Sequence, residues 1–266
     1  MDKTTVTGRY LFGISMAAFG LQQFIYSDFV PGLLPVPEWI PGRLLLTYVT
    51  GLGFVAAGAS IVANKGARLS ATLLGLMWSL CVLVLQVPRL AANPHNGGMW
   101  TGTFEVVAIG GAAFVLAATL PDENPHLHKP NAISKAIAPS RYVFAISLLV
   151  FGIQHFIYYE YVSSVIPSWI PGHLFWAYVT GVAHIAAALS IATKVKGRLA
   201  ATLLALMFGL WFLLLHIPRA LASHNNKNEW GSALVALAMC GGSLLIAGSL
   251  GADSREQSSD RSPIDP

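Results

Sequence analysis

RYLFGISMAAFGLQQFIYSDFV, residues 9–30, and RYVFAISLLVFGIQHFIYYEYV, residues 141–162, are one segment written twice. The likeness runs outward from there. WIPGRLLLTYVTG from Trp39 pairs with WIPGHLFWAYVTG from Trp169, and RLSATLLGLM from Arg68 with RLAATLLALM from Arg198. The next run ends QVPR at Arg89 in one copy and HIPR at Arg219 in the other, and Trp100 or Trp230 then opens a last apolar run. About half of the aligned positions are identical, more than shared hydrophobicity gives, so the chain is an internal duplication.

Each copy holds four apolar runs. A bilayer core of about 30 Å takes roughly 20 helical residues. The spans expected on that basis are 10–30, 43–63, 68–90 and 100–120, then 141–162, 172–193, 198–221 and 230–250. Backbone polar groups in lipid need internal partners, so runs of this length are helices. The expected fold is an all-α integral membrane protein, with eight transmembrane helices as two parallel, homologous four-helix bundles. The units are 1–120 and 141–250, joined by a proline-bearing, charged linker at 121–140 and followed by a polar, disordered tail at 251–266. An even number of spans per copy makes the copies parallel, related by an axis along the membrane normal.

The composition agrees: 55% hydrophobic against 11% charged residues is far from a soluble domain. The formal charge of +4 forms no basic patch interleaved with aromatics, which argues against nucleic acid as a partner. Instead the cations alternate between ends of the spans. Twelve of the sixteen lysines and arginines fall on the side of Lys3, Lys65, Lys135 and Lys194, leaving Arg43, Arg89, Arg219 and Lys227 opposite. The expected location is the cytoplasmic membrane, and the positive-inside rule places both termini on its cytoplasmic side. The first run resembles a signal peptide, but its recurrence at mid-chain argues for a retained helix. Cys81 and Cys240 lie within apolar runs and imply no disulfide.

Polar groups within spans are costly and therefore informative. Gln154 and His155 lie near the outer end of the fifth run, with Tyr158 and Tyr159 one turn on and expected on the histidine's face. His184 is near mid-depth in the sixth, and His216 and Arg219 share a face of the seventh beside Pro218. The two copies differ at these positions. Gln154 and Arg219 recur as Gln22 and Arg89, whereas His155 corresponds to Gln23, His216 to Gln86, His184 to Phe54 and His173 to Arg43. At these positions only the second copy carries groups that exchange protons near neutrality, so the second copy is expected to hold any chemical site. Glu105, with Val235 as its counterpart, is expected to pair with Arg89. No HxxxH or CxxC spacing supports a metal centre, and haem ligation by the histidines is a weaker reading than hydrogen bonding.

On FGLQQFIY and FGIQHFIY, WIPG with YVTG, and QVPR and HIPR, the chain resembles the DoxX-like family of four-helix bacterial membrane proteins, here as a fused double unit. The resemblance implies a redox-associated membrane subunit, since some relatives are named as the quinone-reducing subunit of thiosulfate:quinone oxidoreductase. A quinone headgroup needs hydrogen-bonding and proton-exchanging groups in an aromatic cleft open to lipid. His155 and His216 are the expected proton-exchanging residues, with Gln154, Tyr158, His184 and Arg219 as ligand contacts toward the outer side of the second unit. No flavin, nicotinamide or iron–sulfur motif occurs, so electrons would pass to or from a soluble or membrane redox partner. The alternatives are a small-solute transporter, for which the spans carry one deep carboxylate, and a non-catalytic scaffold or assembly partner.

Overall fold

The computed structural model describes residues 2–30, 32–121 and 139–259, with side chains as far as residue 251. Among these it has nine helices and no strand. We number them α1 (Lys3–Tyr26), α2 (Arg43–Ala63), α3 (Ala67–Ala92), α4 (Gly97–Thr119), α5 (Ser140–Ile157), α6 (Tyr159–Val165), α7 (His173–Thr193), α8 (Gly197–Ala222) and α9 (Lys227–Ser259).

Seven helices, α2–α5 and α7–α9, are long and apolar enough to cross a membrane. α1 has the length, 24 residues, but Thr4, Thr5, Thr7, Arg9, Gln22 and Gln23 make it more polar. Leu45, Leu69 and Leu83 expose more than three-fifths of their surface, as side chains facing acyl chains do. The first apolar run was expected to span 10–30. Its helix ends at Tyr26, with Ser27 in the left-handed region at φ 50°. The fifth run, expected over 141–162, breaks at Tyr158 and resumes as the short α6. Residues 122–138 of the linker and 260–266 of the tail lie outside the described residues. The tail expected from 251 is helical up to Ser259, continuing α9 through good helix formers such as Ala252, Arg255 and Glu256.

The repeated WIPG has a local physical meaning. Gly42 and Gly172 cap the N-termini of α2 and α7 at φ 70° and 75°, where a Cβ would be strained. QVPR and HIPR have one as well. Each copy inserts a π-turn ahead of the proline, Val82–Gln86 in α3 and Phe212–His216 in α8. Pro88 and Pro218 lack an N–H, and the helix widens just ahead of each.

Close packing rests on glycines. A Cβ on Gly58 would lie 2.5 Å from the Gly13 carbonyl oxygen, and one on Gly20 would run into that of Gly51, so α1 and α2 touch backbone to backbone. In the second unit Gly152 and Gly181 do the same for α5 and α7. The first helix of each unit also packs on the last helix of the other, α1 on α9 and α5 on α4, while α4 and α9 meet at the centre. Gly8 faces Gly241 and Gly111 faces Ser140 in these crossed contacts. The units are interlocked through their first and last helices, where two parallel four-helix bundles were expected.

Candidate functional site in the second unit

Gln154 and His155 are neighbours in sequence, so on a helix they face about 100° apart. Gln154 turns to α4: its Nε2 donates to the Gly97 carbonyl at 2.9 Å, and its Oε1 accepts from Thr101 Oγ1 at 3.1 Å. Gln22 repeats the first bond across the molecule, Nε2 donating to the Lys227 carbonyl at 2.6 Å. The shared glutamine is thus a clamp between units. Tyr158 was expected on the histidine's face, but the helix breaks at this residue and its ring lies against Gly97 instead. Tyr159 turns to Tyr178, ring centroids 5.9 Å apart. Gln154 and Tyr158 therefore sit beside the histidine cluster, not within it.

His155 turns toward α7 and α8. Its ring centroid lies 5.0 Å from that of His184 and 5.9 Å from that of Trp211, onto which it stacks. Trp211 lies 5.6 Å from His184, and Phe208 and Phe151 close the far side of the His184 ring. His155 Nδ1 is 2.8 Å from the Phe151 carbonyl oxygen, and His184 Nδ1 is 2.8 Å from that of Thr180. A carbonyl only accepts, so each Nδ1 carries the hydrogen and each Nε2 presents a lone pair. Neither Nε2 has a protein partner among the described residues. The pair is too close for trans ligation of one haem iron: with N–metal bonds of about 2 Å, the centroids would stand roughly 6 Å apart. Among the described residues no group of three or more histidine, cysteine or acidic side chains is placed to hold a metal.

His216 ends the π-turn of α8, and its Nδ1 is buried with no hydrogen-bond partner. The first unit shows what this position does when satisfied. Gln86 Nε2 donates to the Gly32 and Leu33 carbonyls at 2.9 and 3.0 Å, and Cys81 Sγ donates to that of Leu33 at 3.2 Å. The segment between α1 and α2 thus folds into the cleft between α3 and α4 as a plug, burying Phe29, Val30, Leu33 and Leu34. In the second unit the corresponding segment forms α6 and stays outside, with Tyr161, the counterpart of Phe29, 69% exposed. The cleft between α8 and α9 is correspondingly open. Gly102 is buried under the Gly32 carbonyl, whereas its counterpart Ser232 is exposed, and His216 and Trp211 are half-buried where Gln86 and Cys81 are buried.

Arg219 stands at the mouth of this cleft and pairs with Glu229 at 2.8 Å. The first unit has Met99 in place of Glu229. The expected Arg89–Glu105 pair does not form: no ion pair joins them, and neither has a charged partner among the described residues. Glu105 lies well down α4, one turn beyond Thr101, while Arg89 sits past the π-turn near the end of α3.

The sequence put His155, His184 and His216 in the second unit and left open whether they converge; the structure brings the rings of His155 and His184 together. The sequence reading missed Trp211, Phe208, Ser232 and Glu229. The exchange of Cys81 for Trp211 between otherwise similar helices was the available signal.

A family model described as a domain of unknown function (DUF8561) matches residues 144–247, which span α5 to α9 of the second unit. No curated protein and no solved structure matches the chain.

Proposed function

We propose that the second unit binds a quinone headgroup, or a comparable planar carbonyl-bearing redox ligand, in the cleft between α8 and α9. In this reading the protein is a DoxX-like membrane redox subunit of eight spans, α1 included, with its termini in the cytoplasm and the cleft toward the outer side. The observation that carries the proposal is the unpartnered, buried Nδ1 of His216. Its counterpart Gln86 donates to two carbonyl oxygens of the plug. With the plug absent, a ligand carbonyl takes the same bond. An unmet buried polar group costs about 1–3 kcal/mol, which ligand binding recovers.

Trp211 offers a face for the ring, and Arg219 at the mouth adds a cation near a reduced, anionic oxygen. Behind Trp211, His155 and His184 present acceptor nitrogens to which a hydroquinone hydroxyl or a bridging water can donate. Electrons pass to a partner protein, since the chain carries no motif for a flavin or iron–sulfur cluster.

Mass spectrometry of lipid extracted from the detergent-purified protein tests this. Stoichiometric quinone in the wild type, lost in His216→Leu, supports the reading. Equal quinone in both, or none in either, refutes it.

A further inference from the structure

The seam between α8 and α9 stays open beyond His216. An apolar groove of about 360 Å³ lies along it, lined by Thr202, Ala205, Gly209 and Leu213 of α8 and by Cys240 and Leu244 of α9. From Thr202 to Leu213 it follows α8 for about 16 Å, at roughly 1.5 Å per residue. We infer that this groove seats the ligand's tail, so that the second unit takes a quinone carrying a long hydrocarbon chain and not a free headgroup. The inference rests on the headgroup site proposed above and names the class of ligand that fits it.

The groove is continuous with that site. Leu213 lies in the π-turn that His216 ends, and this turn packs on α9. On the other wall Ala233, Cys240 and Leu244 follow one another at two turns and then one more, so they share a face of α9. Ala233 is the counterpart of Thr103, whose hydroxyl stands 3.5 Å from Oε1 of Gln86, the counterpart of His216. Headgroup site and groove are successive stretches of one seam.

The two stretches also differ together between the copies. In the first unit the plug fills the cleft at Gln86, and Phe114 fills the groove: its ring lies on Gly75, 2.6 Å from where a Cβ would sit. The counterparts in the second unit are Ala205 and the smaller Leu244, and Gly209 replaces Ser79. The copy with the unpartnered His216 nitrogen is the copy whose groove is open. Depth in the membrane suits an amphiphile as well. In the topology proposed above the headgroup sits toward the outer interface, and a chain that leads from it toward the bilayer centre follows the groove.

Photolabelling of full-length protein in phosphatidylcholine vesicles tests this. The probe is decyl-benzoquinone with a diazirine midway along its chain, mapped by peptide mass spectrometry after irradiation. We expect the label on 202–213 of α8 and 240–244 of α9, displaced by excess tetramethyl-benzoquinone, which has no tail and competes for the headgroup site alone. Ala205→Gly with Leu244→Phe, the pair the first unit carries, should lower the groove label about fivefold by filling the space. Gly209→Leu should do the same; a Cβ there meets only Cys240 Sγ, at 3.5 Å, so the fold admits it. Headgroup binding is read separately, as quenching by tetramethyl-benzoquinone in protein with Trp211 as its one tryptophan. Saturable quenching with label scattered over lipid-facing positions such as Leu45 and Leu83 overturns this inference and leaves the headgroup site standing. Groove label that neither variant lowers, or that tetramethyl-benzoquinone does not displace, does so too. No saturable quenching overturns both.

Discussion

The imidazoles of His155 and His184 lie 5.0 Å apart, centroid to centroid, on neighbouring helices, each held in one tautomer by the carbonyl four residues before it. The first unit fills these positions with Gln23, which accepts from Thr50 at 2.9 Å, and Phe54, which packs on Trp78. The exchange His155→Gln with His184→Phe thus imports a pair the fold already accommodates. The melting temperature should change little, a shift equivalent to less than about 1.5 kcal/mol. Binding of the reduced probe, decyl-benzoquinol, whose hydroxyls donate, should weaken by roughly tenfold as two acceptors are lost. Unchanged affinity would mark the pair as packing groups.

Asp28 is the one residue that joins the plug to both α2 and α9 through ion pairs among the described residues. Burial by itself would raise its carboxyl, but hydrogen bonds from Lys227, Arg43 and the Phe29 N–H outweigh that and hold it below the usual carboxylate range. A carboxyl depressed in the folded state contributes stability above its unfolded pKa of about 3.9 and loses it as pH falls through the folded value. Asp28→Asn should therefore destabilise the protein at neutral pH by about 1 kcal/mol, given partners that are partly solvated. The difference from wild type should shrink on acidification below pH of about 4, measured by thermal melts. A difference that persists in acid would show that charge is not what holds the plug.

Glu105 has no ion-pair partner among the described residues, so its removal strands no cation. Glu105→Gln should leave stability within about 0.5 kcal/mol of wild type. Glu229→Gln, which takes away the partner of Arg219, should cost about 1 kcal/mol. Melts of the two purified variants make the comparison, and a larger loss for Glu105→Gln would reverse the assignment.

Gly152 meets Gly181 where α5 crosses α7, and a Cβ there would lie 2.5 Å from Ile185 Cγ1 and 2.9 Å from the Gly181 carbonyl oxygen. Gly152→Val should force the helices apart and cost about 2–3 kcal/mol. Gly53 has nothing within 4 Å of its built Cβ, so Gly53→Val should be nearly silent. Comparable losses in the two variants would contradict the close approach.

The duplication made much of the architecture legible, because a 22-residue match repeated with its helix-capping WIPG and its proline-led VPR or IPR leaves little freedom in where helices begin and end. The interlock was not legible. It depends on Gly8 meeting Gly241 and Ser140 meeting Gly111, and the sequence of an apolar run does not say which helix a small residue faces. The plug was hidden because Phe29 and Val30 extend an apolar run past the helix end at Tyr26, and hydropathy does not distinguish a span from a segment folded back into protein. At the site, the contrast between histidine and glutamine picked out the unit whose cleft is open. The face of Tyr158 was misread because helical spacing was carried across a residue that breaks the helix.

The most direct test is titration of Trp211 fluorescence with decyl-benzoquinone in purified protein, with the six other tryptophans replaced by Phe. A ring against the indole should quench it saturably in the wild-type cleft, and His216→Leu should weaken that quenching by tenfold or more, about the worth of one buried hydrogen bond. Saturable quenching with equal affinity in both proteins, or no saturable quenching in either, would contradict a ligand carbonyl held at His216.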